Sequence, residues 1–296
     1  MVVVHRSFRA RECYDRALVL TAMGIENEFA SGLAGWRLLV PQHEADRACE
    51  QLRLYELENR SRFVPSGVSL AHPGAVASVL GYALVLLVVF ALQSRSGFGI
   101  DWTFAGRVDV AAIRDGAAWR AVTALTLHAD ISHLLANLGF GAFFGALLAR
   151  EIGPGLGWLM ILLAGATGNL VNAAVQQPEH TAVGASTAVF AALGLLAAYW
   201  WTGKRLIREG WARRWAPVVG GIWLLTWLGT GDERTDIVAH LTGFVVGFVI
   251  GIVLGRYASP RPGGTARQWM FGAITIACLI GAWALALRGP AAPGLM

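Results

Sequence analysis

The sequence is poor in charge: Asp, Glu, Lys and Arg make up only 15% of its 296 residues, against 55% hydrophobic residues and a mean hydropathy of +0.53. That excludes an ordinary soluble domain and points to a chain that crosses a membrane several times. Cysteine is scarcer still. Cys13, Cys49 and Cys278 are odd in number and lack metal-ligand spacing, and the first two lie in a segment read as cytosolic. Unpaired thiols are therefore expected rather than a disulfide framework or a zinc cluster. Low-complexity tracts and fixed-period repeats are also missing. Only four consecutive apolar residues, Met1 to Val4, precede the charges of MVVVHRSFRARECYDR, so no cleavable signal peptide is expected and the first span directs insertion.

The charge that is present is uneven. Residues 1–62 hold nine Arg and nine acidic residues, while the remainder holds 15 Lys or Arg against 10 acidic residues, so the whole excess of +5 belongs to the apolar part. These bases sit in loops between spans, where membrane topology explains them, and nucleic-acid binding is not expected.

Residues 1–62 read as a small cytosolic α+β domain. A strand is expected near Val2–His5, a helix at Arg11–Met23, strands at Asn27–Ala30 and Gly35–Val40, and a helix from Pro41 to Glu58. Glu44 and Asp46 suit the first turns of the last helix. After a linker at 63–74, apolar windows recur at 75–92, 131–149, 155–175, 182–201, 217–230, 236–255 and 268–287, near the ~20 residues that cross a bilayer. The fold class is thus an α-helical polytopic membrane protein with seven spans. With the amino terminus inside, inner loops carry nine bases, among them Arg150, Lys204, Arg205 and Arg256, and the outer side carries six. That asymmetry sets the orientation.

Spans two, four and six then begin near the outer face, and their unusual side chains lie at those beginnings. They are His128, His133 and Asn137 at span two, Ser186 at span four and His240 at span six. A serine in a membrane helix commonly packs or bonds to a backbone carbonyl, and Ser186 alone has that reading open. An ionisable residue such as His240 within a span is costly and marks function. Ala239, Gly243, Gly247, Gly251 and Gly255 give span six an edge almost without side chains, and Gly184, Ala188 and Ala192 offer one on span four. Close approach there would bring His240 to Ser186, whose hydroxyl is a weak nucleophile without a neighbouring base. His133 and Asn137, four apart on one face, could join the Ser186 N–H in stabilising a developing oxyanion. His128, about 140° around from His133, reads as structural. Zinc is not expected, since no i,i+4 histidine pair with glutamate is present. Asp236 reads as a solvated loop charge at the aqueous rim.

The combination of Trp119–Arg120, H-x4-H-x3-N at His128, His133 and Asn137, G-x-S at Gly184–Ser186, and A-H-x2-G-x3-G from Ala239 to Gly247 resembles the rhomboid intramembrane serine proteases over residues 75–255. The resemblance implies a dyad of Ser186 as nucleophile and His240 as base then acid, with His133, Asn137 and the Ser186 N–H as oxyanion hole. It implies a six-span core over 75–257 with an additional span and tail over 258–296. It implies no cofactor or metal, transmembrane protein substrates cleaved near the outer face, and preference for small residues at the scissile bond. Trp119 and Arg120 would belong to a loop partly within the membrane. His128, Gly184, Phe190 and Gly243 would play supporting parts. Thr187 stands where the family usually has glycine, and Phe190 where it often has tyrosine. The competing class is a catalytically inactive, client-binding relative, which would typically lack the serine or the histidine. A bacterial inner-membrane location is the expectation; oligomeric state is left open.

Overall fold

The computed structural model describes residues 1–8, 10–32, 35–59, 72, 74–202, 215–216, 218–223, 226, 236–257 and 264–288. Half of the expected span at 217–230 lies outside these residues, as do Lys204, Arg205, Arg208, Arg213, Arg214 and Arg261 and most of the 63–74 linker. Two compact units are present, Met1–Gly67 and Val68–Met296.

The first unit is an antiparallel sheet with two helices. Strand β1 (Val2–Ser7) and strand β2 (Glu28–Gly32) flank the central strand β3 (Gly35–Val40), in the order β1-β3-β2. Alternation along β3 puts Leu38 and Val40 on the face covered by helices α1 (Ala10–Ala22) and α2 (Ala45–Asn59). There they pack with Ala17, Leu20, Ile25, Ala48 and Leu52. The helix expected from Pro41 starts instead as a 3-10 turn, Gln42–Glu44, which leads into α2. Pro41 fixes φ at −55° but keeps an extended ψ of 143°, so the α-helix proper begins four residues later.

The second unit is helical. Helices α7 (Ile131–Ile152), α8 (Pro154–Val175), α10 (Ile237–Tyr257) and α11 (Thr265–Ala286) are long and apolar enough to cross a membrane, and α3 (Ser78–Ser94) and α9 (Ser186–Thr202) are shorter apolar helices. The chain is an integral, multi-pass helical membrane protein. Between α3 and α7, the stretch expected as an outer loop is built from α4 (Trp102–Gly106), β4 (Val108–Asp109), α5 (Val110–Arg114) and α6 (Arg120–Thr123). Asp101 and Asp109 cap α4 and α5 by accepting from the N–H groups of Phe104 and Ala112 at 2.9 and 3.0 Å. Strand β4 pairs with β5 (Thr181–Ala182), so Ala182, the first residue of the expected fourth span, lies in a strand and the helix begins only at Ser186.

Three packing arrangements position the site. Gly153, at φ +94°, joins α7 to α8 directly, with Pro154 opening α8 at the position where its missing N–H costs nothing. The glycine edge of α10 lies on α9, but in a register one residue away from the expected small-residue line. Methyl groups at Gly243, Gly247 and Gly251 would overlap the carbonyl oxygens of Thr187, Ala191 and Leu195, not the positions Gly184, Ala188 and Ala192. Ala188 instead faces Gly165 of α8. Finally, α11 is fixed at both ends. Gln268, 5% exposed, accepts from the Leu156 N–H at 3.0 Å and donates to the Ile152 carbonyl at 3.2 Å. Trp283 donates to Thr126 at 3.2 Å and packs on Trp102, with ring centroids 4.9 Å apart.

Candidate active site

Helix α7 begins at Asp130, whose carboxylate accepts from the His133 N–H at 2.8 Å. This cap sets His133 and, one turn later, Asn137 on one face. Asn137 is buried; its amide donates to the His133 carbonyl at 2.9 Å and its own carbonyl accepts from Tyr82 at 2.8 Å. Gln93 of α3 holds the chain just ahead, bonding both the carbonyl and the N–H of His128 at 2.8 and 3.1 Å. The fully buried His128 ring meets the His133 ring edge-on, centroids 5.3 Å apart. Burial, and then the neighbouring His133, pushes the His128 imidazole down to about 4, so it stays neutral near pH 7.

The segment before Ser186 is held just as firmly. The Gly184 N–H donates to the Ala124 carbonyl at 3.0 Å, and Gly184 has φ +138°, a conformation that favours glycine. A methyl group at Gly184 would lie 2.6 Å from the His133 ring and 3.5 Å from the Ser186 hydroxyl oxygen. Gly184 thus makes the gap that lets His133 approach the serine. Ser186 is the first residue of α9, so its backbone N–H is not used inside the helix and stands at the positive end of the helix dipole.

His240, 8% exposed, lies one turn into α10, and its ring packs at a tilt against Phe190 with centroids 4.4 Å apart. Thr187 is 3% exposed, and its methyl carbon sits 2.9 and 3.0 Å from where side chains at Gly168 and Gly243 would begin. Its branch therefore fills the space those two glycines leave between α8 and α10. Ser186, His240, His133, Asn137, Thr187, Phe190 and Gly184 all line one cavity of about 720 Å³. Trp119 and Arg120 do not line it. Arg120 donates to the carbonyls of Phe104 and Arg107 at 2.9 and 3.0 Å and so braces the segment between α3 and α7.

Asp236 is not a solvated loop charge. Its carboxylate caps α10 by accepting from the Ala239 N–H at 2.9 Å, and its other oxygen bonds Asn172 at 2.8 Å and His180 at 2.7 Å. His180 and Asp236 both line the cavity. The aspartate before an apolar run was legible as a helix cap; His180 and Asn172, 56 and 64 residues away in sequence, carried no signal. Among the described residues no group of three His, Cys, Asp or Glu side chains is placed to hold a metal ion.

A cavity walled by apolar helices and lined by serine, histidine and asparagine defines a class of membrane protein with a polar site at the start of its spans. Residues 115–257 match the Rhomboid domain profile, and the chain is similar to proteins named as rhomboid proteases. It is 36% identical over 87 residues to Rhomboid-like protease 2 of Toxoplasma gondii, covering 28% of this chain and 29% of that protein. To Rhomboid-like protease 3 of the same organism it is 40% identical over 80 residues, 27% and 30% of the two chains. To Rhomboid protease GluP of Bacillus subtilis (strain 168) it is 32% identical over 116 residues, 38% and 22%. The chain spans less than a third of the length of each of these relatives.

Proposed function

We propose that this protein is an intramembrane serine endopeptidase that hydrolyses peptide bonds in or beside transmembrane segments of other membrane proteins. The observation that carries the reading is the shared cavity, which brings Ser186, His240, His133 and Asn137 to one space from three helices. His240 takes the proton from the Ser186 hydroxyl as its oxygen attacks the scissile carbonyl. The oxyanion so formed is met by the Ser186 N–H, His133 and Asn137. His240 then gives its proton to the leaving amine, and water hydrolyses the acyl-enzyme by the same steps in reverse roles. Phe190 holds the imidazole plane. The site lies on the outer side of a bacterial inner membrane, with the amino terminus in the cytoplasm.

Labelling of the purified, detergent-solubilised chain with a fluorophosphonate tests this. The wild type is expected to label, and Ser186→Ala and His240→Ala to lose the label. His133→Ala is expected to slow labelling by about 100-fold or more, the usual effect of removing one oxyanion donor. A folded wild type that stays unlabelled would point instead to an inactive, client-binding member of the family.

A further inference from the structure

The bonds around Asp236 reach beyond capping a helix. On one side the carboxylate holds the first turn of α10, the helix that carries His240 four residues later; the His240 N–H itself donates to the Asp236 carbonyl at 3.1 Å. On the other side it holds His180, six residues ahead of Ser186. His180 has little freedom of its own. Its carbonyl accepts from the Val110 N–H at 3.2 Å, its N–H donates to Gln177 at 3.0 Å, and the next two residues form β5 against β4. From β5 the chain runs through Gly184, tied to Ala124, directly into Ser186. The third partner, Asn172, is fully buried near the end of α8, and its amide nitrogen has Asp236 as its acceptor.

We propose that Asp236 is a positioning residue, whose carboxylate clasps His180 and Asn172 to the start of α10 and so fixes the base-bearing helix against the strand that leads to the nucleophile. The proposal rests on the reading of Ser186 and His240 as the reacting pair. A carboxylate suits the task because it only accepts, and all three groups aimed at it are donors. An asparagine could still cap α10 through its oxygen, yet it would turn donors toward Asn172 and His180. The cap and the clasp are thereby separable by substitution. Reacting groups displaced by about 1 Å through a change away from the chemistry lose on the order of 100-fold in rate.

The test compares the full-length wild type with Asp236→Asn, His180→Leu and His180→Gln in detergent. It follows fluorophosphonate labelling, thermal midpoint and amide hydrogen exchange over 180–186 and 237–242. Asp236→Asn and His180→Leu are expected to label at least about tenfold more slowly at near wild-type midpoints. His180→Gln, which keeps a donor, is expected to recover much of the rate. His180→Leu is further expected to speed exchange in 237–242, a segment it does not belong to. Equal labelling and equal exchange in all four proteins would overturn the clasp and leave a simple helix cap. Should Asp236→Asn fail to fold, His180→Leu decides alone. An unlabelled wild type would sink the proteolytic reading, while the exchange experiment would still uphold or refute the tie between the two segments.

Discussion

Gly184 and His133 depend on one another. The glycine combines φ +138° with a histidine ring 2.6 Å from where its methyl group would sit, so Gly184→Ala must strain the backbone and push His133 aside together. Strain of this kind costs of order 1–3 kcal/mol. A lowered thermal midpoint is expected, with fluorophosphonate labelling depressed further than His133→Ala depresses it, because both the serine approach and the donor are disturbed. His5, in the other unit, gives a prediction in pH. Burial, and next the nearby Arg16, lowers its pKa below the ordinary value of about 6.5. Near and below that ordinary value the unfolded segment binds a proton that the folded one resists. The stability His5 allows is thus complete above about pH 6.5 and falls as pH falls. Amide exchange across Val2–Ser7 is expected to speed on acidification, and His5→Gln to remove that component. At this scale the sequence disclosed the donors and hid their partners. Ser186, His240, His133 and Asn137 stood out because polar groups are rare in these windows, whereas His180 and Asn172 gained meaning only when folding brought them to Asp236.

Among the elements, α11 makes the strongest claim. Gln268 is buried in an apolar span, with both ends of its amide bonded to the turn between α7 and α8. Gln268→Ala leaves the Leu156 N–H and Ile152 carbonyl without that partner, a loss of about 1–3 kcal/mol. Gly155→Ala would overlap the Gln268 backbone and is expected to loosen the same contact. Both variants are expected to lower the thermal midpoint in detergent and to expose α11 to faster exchange. The windows of hydropathy located this helix within about three residues but not the reason it docks. A glutamine at the head of an apolar span, next to Arg267, carries no docking signal in sequence, while in the fold it answers two backbone groups at a helix junction. The glycine edge of α10 was likewise legible. Its partner line was misplaced by one residue, because the register between two helices is set by ridges that no single helix displays.

For the molecule as a whole, the arrangement of bases predicts an orientation. A cysteine placed at Ser96, in a chain whose Cys13, Cys49 and Cys278 are serine, is expected to react with a membrane-impermeant maleimide from outside intact cells. Restoring Cys49 alone is expected to give no reaction until the cells are opened. Reaction in the reverse pattern would invert the topology and move the cavity to the cytoplasmic side. The division into a helical membrane unit and a small α+β unit follows from composition, since charge is balanced in one and sparse in the other.

The bare edge of α10 also bears on how this protein is assembled. Glycine and alanine have no rotamers to freeze, so joining α10 to α9 gives up little side-chain entropy on the glycine face. Lipid tails offer no hydrophobic gain for that union, and backbone dispersion can hold it because so little disorder is surrendered. The two helices that bring Ser186 and His240 together thus meet where close packing carries the smallest entropic penalty, which favours their pairing before the rest of the bundle has closed around them.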